Sequence, residues 1–207
     1  VLKKWTRLGF AGVSPEVGFL LKQSRLKGNQ KGVAVLTMDI NEGPFTHLEF
    51  EAIQKSINLS YESGEMASSD YILIWLYILL GQRNKQHAAL KVCDVKTKIE
   101  DGRCLYSIMM PRAKQGHPHP RYAFKERPLI EQFGLVLVAY AGRVKKNFEN
   151  VLPDPEQAPL FPTPNLELDR GTPGYEFHRT TEQLRIALNE ALDSLDARSE
   201  RNGDLIY

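Results

Sequence analysis

The chain has 207 residues, of which 42% are hydrophobic and 25% are charged, a balance typical of a folded protein rather than a disordered segment. This length suits one large domain with a small attached segment. The longest apolar run, Tyr71 to Leu80, is half of the roughly 20 residues that a bilayer span needs, and no secretory signal is visible, so a cytoplasmic location is predicted.

The net charge of +2 is unevenly distributed along the chain. Between Arg83 and Arg127 there are eleven Lys and Arg residues against four acids, so this segment carries +7 and the remainder carries −5. A basic middle segment on an acidic chain is compatible with a face that binds a polyanion, although most charge runs are ordinary solvated surface. Two cysteines, Cys93 and Cys104, are too few for a disulfide framework and are interpreted as reduced thiols.

Residues 1–26 show no clean hydrophobic period, and the stretch from Lys27 to Gly32 breaks any helix. We interpret 1–44 as the tail of a preceding domain plus a linker, and 45–207 as the main domain. Thr46 and Glu49 have the spacing of a capping box, which predicts a helix with one apolar face. A second helix is predicted to follow Ser68–Asp70, whose side chains can cap it, and to run to Gly81; it is apolar all round and therefore central.

A short helix over Asn84 to Lys91 is followed by a hydrophobic period of two, which indicates strands. Asp101-Gly102 is a strong signal for a two-residue hairpin turn. This turn would set four pairs opposite each other: Glu100 with Arg103, Ile99 with Cys104, Thr97 with Tyr106, and Val95 with Ile108. In this register Cys93 lies roughly 20 Å from Cys104, which excludes a disulfide between them.

Further along the chain a loop rich in Gly, Pro and His covers Pro111 to Arg121, and Tyr122 to Phe124 is predicted as a third strand. Pro128 is placed as the first residue of a helix that continues to Phe148. The last helix begins near Thr180, with a second capping-box spacing, and ends near Arg198. It is expected to bury Leu184, Leu188, Leu192 and Leu195. The predicted fold is α+β, mostly helical, with a small antiparallel sheet of about three strands.

The stretch from Leu80 to Val95 resembles the first catalytic box of tyrosine recombinases, the DNA strand-exchange enzymes of the phage-integrase type. In that family an apolar helix ends in Gly-x-Arg, a short helix ending in Leu follows, and an Asp then opens the sheet. Four residues match this pattern at the family's spacing: Gly81, Arg83, Leu90 and Asp94. Gln86 stands where the family usually has Glu, which keeps hydrogen bonding but loses a charge.

Three further features occur in the family's order. Lys114 follows a hairpin strand, Pro128-Leu129 precedes the next helix, and Pro159-Leu160-Phe161 comes after that helix. The resemblance covers about residues 44 to 200 and implies that 1–44 is the tail of a core-binding domain and 45–207 a partial catalytic domain. It further implies a site-specific recombinase or integrase that cuts and rejoins DNA through a 3′-phosphotyrosyl intermediate, with no metal, ATP or other cofactor.

The resemblance assigns catalytic roles to Arg83 and Lys114. An arginine stays charged and offers a planar fork to two phosphate oxygens of a phosphorane-like transition state. Lys114 would protonate the departing 5′-oxygen. Five other basic residues are expected to contact phosphates of duplex DNA: Lys85, Lys91, Arg112, Arg121 and Lys125.

The family continues with a His-x-x-Arg box, a second His or Trp, and the nucleophilic Tyr. No His-x-x-Arg occurs here, since His178 is directly followed by Arg179 and the histidines before Arg121 have other spacings. We therefore expect the chain to stop before this box, with Tyr207 not the nucleophile, and to be inactive in strand cleavage as it stands. His117 and His119 could be imagined as metal ligands, but histidines flanked by prolines are typical of an exposed loop, and no metal site is predicted.

The resemblance also implies double-stranded DNA as partner, a tetramer on DNA in the full-length protein, and a nucleoid-associated location in the cytoplasm of a bacterial or phage host. We expect the helix at 71–80 to be nearly buried, with Trp75 and Leu79 facing inward, and Arg83 to lie on a concave basic surface. The Lys114 loop should be the most mobile part of that surface. Two alternatives stay open: a DNA-binding relative without chemistry, and an unrelated protein-interaction domain whose basic middle is incidental.

Overall fold

A computed structural model describes residues 2–9, 12, 14–23, 32–112, 121–165 and 173–206. Its contacts divide the chain into two compact units, Val1–Phe45 and Thr46–Tyr207. That these units are the tail of a core-binding domain and a partial catalytic domain stays a prediction. None of the helices in the described ranges combines the length and the apolar character that crossing a lipid bilayer requires.

The α-helices of the described ranges are α1 (Leu2–Leu8), α2 (Pro15–Gln23), α3 (Val33–Leu36), α4 (His47–Glu62), α5 (Ser68–Leu80), α6 (Asn84–Ala88), α7 (Glu131–Asn147) and α8 (Thr181–Asp193). The strands are β1 (Val95–Glu100), β2 (Arg103–Pro111) and β3 (Phe124–Leu129), and short 3₁₀ turns cover Val92–Asp94 and Pro155–Gln157. The first unit holds α1 to α3, and the second holds the other helices and the sheet. The second unit is therefore α+β with a small three-stranded sheet, as the sequence predicted.

Local capping signals determine where α4 and α5 begin and end. The Thr46 hydroxyl accepts from the backbone N–H of Glu49 at 3.2 Å, and the Glu49 carboxylate accepts from the N–H of Thr46 at 2.9 Å, so the predicted capping box is confirmed. Gly81 ends α5 with a left-handed backbone at φ 58°, also as predicted. The predicted caps at Ser68–Asp70 are wrong, because these residues lie in the first turn and Ala67 occupies the N-cap without a side-chain bond.

Helix α5 is central because hydrophobic clusters cover two of its sides. The larger cluster joins α5 to α7, to β2 and to the segment after α7, and includes Leu73, Leu76, Ile108, Leu137 and Leu160. The smaller cluster joins α5 to α4 and to the segment after α8, and includes Ile53, Ile57, Ile74 and Leu195. Trp75 is half-buried and packs against both clusters. Leu79 belongs to neither and is 37% exposed, so its predicted inward position is wrong.

The sheet has the strand order β1-β2-β3 and is antiparallel throughout. All four predicted pairs across the β1–β2 hairpin are present, from Glu100 opposite Arg103 to Val95 opposite Ile108. The turn has positive φ at both positions, 49° at Asp101 and 75° at Gly102, which is the geometry that favours Asp-Gly in a two-residue hairpin turn. Both cysteines are free, in agreement with the separation that this register imposes.

The third strand begins later than predicted, and Pro128 lies within it rather than at the start of a helix. It pairs with Ser107, and α7 begins three residues further on at Glu131. A residue that cannot donate an N–H is tolerated here because β3 is an edge strand, with no partner on its outer side in the described sheet. Helix α7 then packs closely on β2: a Cβ at Gly134 would lie 2.3 Å from Cγ of Tyr106.

Helices α6 and α8 are both shorter than predicted. Helix α6 ends at Ala88, and the 3₁₀ turn Val92–Asp94 leads from it into β1. Helix α8 has the predicted capping box at Thr180 but ends at Asp193. Its first predicted core residue, Leu184, is fully buried, whereas Leu195 is buried beyond the end of the helix.

Candidate nucleic-acid interface

Arg83 lies in the short connection between α5 and α6. The left-handed turn at Gly81 reverses the chain after the buried helix, and Arg83 follows with an extended backbone at φ −80° and ψ 151°. Its side chain is exposed, and within the described ranges its guanidinium makes no hydrogen bond or ion pair. A guanidinium in this state is available to an anion from solution.

Gln86 fixes the backbone of this connection. Its side-chain carbonyl accepts from the N–H of Arg83 at 3.2 Å, and its amide nitrogen donates to Oε1 of Gln82 at 3.0 Å. The same nitrogen donates to the carbonyl oxygen of Pro111 at 2.6 Å, which joins two positions 25 residues apart in sequence. The Arg83 segment is thus attached to the last residue of β2.

The loop after β2 starts at this point. The N–H of Arg112 donates to the carbonyl of Ala123 at 2.8 Å, which pairs the two sides of the loop. Lys114 follows Pro111 by three residues and lies outside the described residues, so its catalytic role and the mobility of its loop stay predictions. His117 and His119 also lie outside them.

Arg121, predicted to contact DNA, is placed in an internal ion pair instead. Two of its nitrogens donate to the two carboxylate oxygens of Asp94 at 2.5 and 2.9 Å, and one also donates to the carbonyl of Ala89 at 2.9 Å. The guanidinium stacks 4.9 Å from the centre of the Phe124 ring. The side chains of Arg121 and Asp94 are 18% and 4% exposed. This geometry favours a structural role that holds the second side of the loop to the α6–β1 connection.

Lys91 is likewise directed inward. Its ammonium donates to the side-chain oxygen of Gln157 at 3.2 Å, and its residue is 7% exposed. Burial lowers the pKa of Lys91 below its ordinary value. Counting charges along the sequence could not separate Lys91 and Arg121 from exposed bases, because their partners lie far away along the chain.

The other three residues predicted to contact DNA, Lys85, Arg112 and Lys125, are exposed. Lys125 lies opposite Met110, on the sheet face that carries the buried Ile108. Lys96 and Arg103 project from the other face, are exposed, and form no ion pair in the described part of the chain. They are additional candidates for DNA contact, and the alternation of apolar and basic residues in β1 was the signal for Lys96.

Two histidines with little contact to solvent lie at α6: His87 belongs to this helix, and His178 contacts its last residue, Ala88. The His87 ring is fully buried against the Tyr77 ring, with centroids 4.2 Å apart, and among the described residues neither of its nitrogens has a hydrogen bond of good geometry. Burial lowers the pKa of His87 to about 4, with a smaller opposing contribution from the backbone of Gln82. Burial also lowers the pKa of His178 to about 4, and its Nδ1 lies 2.6 Å from the carbonyl of Ala88. Both rings are neutral at pH 7, so the positive charge of this region comes from arginine and lysine.

The side chain of Arg179, the residue after His178, makes a hydrogen bond to a backbone carbonyl of the same unit. The Nε–H of Arg179 donates to the carbonyl of Pro162 at 3.0 Å, and the residue is half-buried. Within the described residues no group of three or more His, Cys, Asp or Glu side chains is arranged to hold a metal ion. No protein-family model matches the chain, and neither the curated proteins nor the solved structures gave a match.

Proposed function

We propose that this chain is the DNA-binding part of a tyrosine site-specific recombinase and contacts the phosphates of duplex DNA through Arg83. The observation that carries this proposal is the exposed guanidinium of Arg83, which has no partner among the described residues, on a backbone held by the Gly81 turn and by Gln86. The order of elements from α5 through the sheet to α7 and α8 also agrees with the order that the resemblance implies.

The chemistry of a phosphodiester suits this arginine. Its two non-bridging oxygens match the two parallel N–H donors of a guanidinium, and the charge of arginine does not depend on pH in the ordinary range. In the full-length enzyme the same contact would stabilise the added negative charge of the transition state, with Lys114 as general acid. Strand cleavage by a tyrosine would need residues beyond those assigned here. The alternative, a DNA-binding relative without chemistry, keeps the Arg83 contact and lacks the cleavage step.

The first prediction concerns binding by the 207-residue chain. With four phosphate contacts, from Arg83, Lys85, Arg112 and Lys125, affinity for a fluorescent 30-base-pair duplex should fall by about 100-fold between 50 and 200 mM salt. Fluorescence anisotropy at the two salt concentrations measures this change. Absence of binding, or binding that does not respond to salt, would contradict the proposal.

A covalent assay separates binding from chemistry. We expect no denaturation-resistant protein–DNA adduct when the chain is incubated with a nicked suicide duplex, because its sequence lacks the His-x-x-Arg box that the cleavage site of the resembling family requires. An adduct that disappears in Tyr207→Phe would instead identify the last tyrosine as the nucleophile.

A further inference from the structure

The side-chain amide of Gln86 forms hydrogen bonds through both its oxygen and its nitrogen, to different parts of the chain. Its oxygen accepts from the N–H of Arg83, while its nitrogen donates to Gln82 and to the carbonyl of Pro111. The side chain is half-buried, so these bonds are partly shielded from competing water. One side chain therefore links the residue that carries the exposed guanidinium to the end of the sheet.

We propose that Gln86 is a positioning residue for Arg83. It holds the Arg83 backbone at a fixed place relative to the end of β2, so that only the side chain has to be ordered when the guanidinium binds a phosphate. The inference rests on the proposed function, since it assumes that Arg83 binds phosphate. A long arginine side chain loses conformational entropy when it binds, and a fixed backbone limits that loss to the side chain itself. Gln86 acts through Arg83 and does not touch the DNA.

The two acceptors around the nitrogen explain why an amide stands at this position. Oε1 of Gln82 and the carbonyl of Pro111 both require a donor, while the N–H of Arg83 requires an acceptor. Glutamine supplies both functions, whereas an ionised glutamate supplies acceptors alone and would face two other acceptors. The neutral residue at position 86, where the resembling family usually has Glu, is therefore matched to this carbonyl contact.

A double-mutant cycle on DNA binding tests the inference. Wild type, Gln86→Met, Arg83→Ala and the double variant are titrated with the same duplex, and the affinity and the slope of log K against log salt are measured for each. Gln86→Met keeps the length of the side chain but removes all three bonds. We expect it to weaken binding about fivefold and to reduce the salt slope by up to one unit in the wild-type background. In the Arg83→Ala background it should change neither quantity, because the residue through which it acts is gone.

Gln82→Met is the matched control. It removes an amide on the same turn but leaves the bonds from Gln86 to Arg83 and to Pro111, so its affinity should stay within about twofold of wild type. A loss from Gln86→Met that persists undiminished in the Arg83→Ala background would overturn the positioning role while leaving the proposed function intact. An unchanged affinity for DNA in Gln86→Met would also overturn the positioning role without affecting the proposed function. Failure of the wild type to bind DNA would overturn the proposed function and this inference with it.

Discussion

Replacing Arg201 with methionine is expected to lower the free energy of unfolding by about 4 kcal/mol, because Glu49 would remain buried without its cationic partner. Glu49 is 1% exposed, and its carboxylate accepts from Nε and from a terminal nitrogen of Arg201 at 2.9 and 2.8 Å. The Ser199 hydroxyl also donates to it. These contacts join the start of α4 to the segment after α8, and methionine preserves the packing of the aliphatic stem while removing the charge.

Arg198→Met is the matched control for this loss, because Arg198 lies in the same segment and pairs with Asp196 in solvent, where the two side chains are 61% and 83% exposed. Its replacement should change the free energy of unfolding by less than about 1 kcal/mol. Chemical denaturation of the three proteins at pH 7 measures both differences. Equal losses in Arg201→Met and Arg198→Met would contradict a buried ion pair at Glu49.

The same pair predicts how stability depends on pH. The hydrogen bonds from Arg201, opposed by burial, lower the pKa of Glu49 from an ordinary value of 4.5 to about 2. A lowered folded-state pKa means that this stabilisation is complete above pH 4.5 and is lost as the pH falls toward 2. The difference between wild type and Arg201→Met should therefore narrow below pH 4.5. The buried histidines titrate in both proteins, so their contributions to the free energy of unfolding largely cancel when wild type and Arg201→Met are compared.

Arg121→Met should lower the free energy of unfolding by about 3 kcal/mol while leaving the salt slope of DNA binding unchanged. The loss follows from the nearly buried Asp94, whose carboxylate would lose the guanidinium that it pairs with. The slope should not change, because an arginine already engaged with a carboxylate releases no counterions from DNA. Lys125→Met should instead leave the free energy of unfolding nearly unchanged and make the salt dependence of DNA binding less steep. Lys125 is exposed and is predicted to contact a phosphate.

Chemical denaturation and salt titrations of DNA binding, measured for Arg121→Met and Lys125→Met, distinguish a structural ion pair from a phosphate contact. If Arg121→Met reduced the salt slope by about one unit at unchanged stability, Arg121 would be a phosphate ligand, and its ion pair with Asp94 would not form in solution. That result would restore the assignment of Arg121 that the sequence alone suggested.

Features that depend on neighbouring residues were predictable from the sequence. The turn at Asp101-Gly102 fixed the register of β1 against β2, and the two capping boxes, at Thr46 and Thr180, located the starts of α4 and α8. These signals work because the interacting groups are within a few residues of each other. Pro128 shows the limit of such signals: a proline favours the first turn of a helix but also fits an edge strand, and local sequence cannot choose between them.

Features that depend on distant contacts were not predictable. Lys91 and Arg121 were grouped with the exposed bases because their partners, Gln157 and Asp94, lie 66 and 27 residues away. The link between Glu49 and Arg201 spans 152 residues and left no periodic signal. Leu79 was misplaced because the pattern of α5 is apolar all round, so only tertiary packing could show which side lacks a covering element.

The salt dependence of DNA binding by Arg83 variants tests the central claim most directly. The plot of log K against log salt should be less steep in Arg83→Ala than in wild type, its negative slope smaller in magnitude by about 0.9, which corresponds to one lost phosphate contact. Arg83→Lys should keep the wild-type slope but bind more weakly, since an ammonium has the charge without the planar fork. Equal slopes for wild type and Arg83→Ala would show that Arg83 contacts no phosphate and would contradict the account.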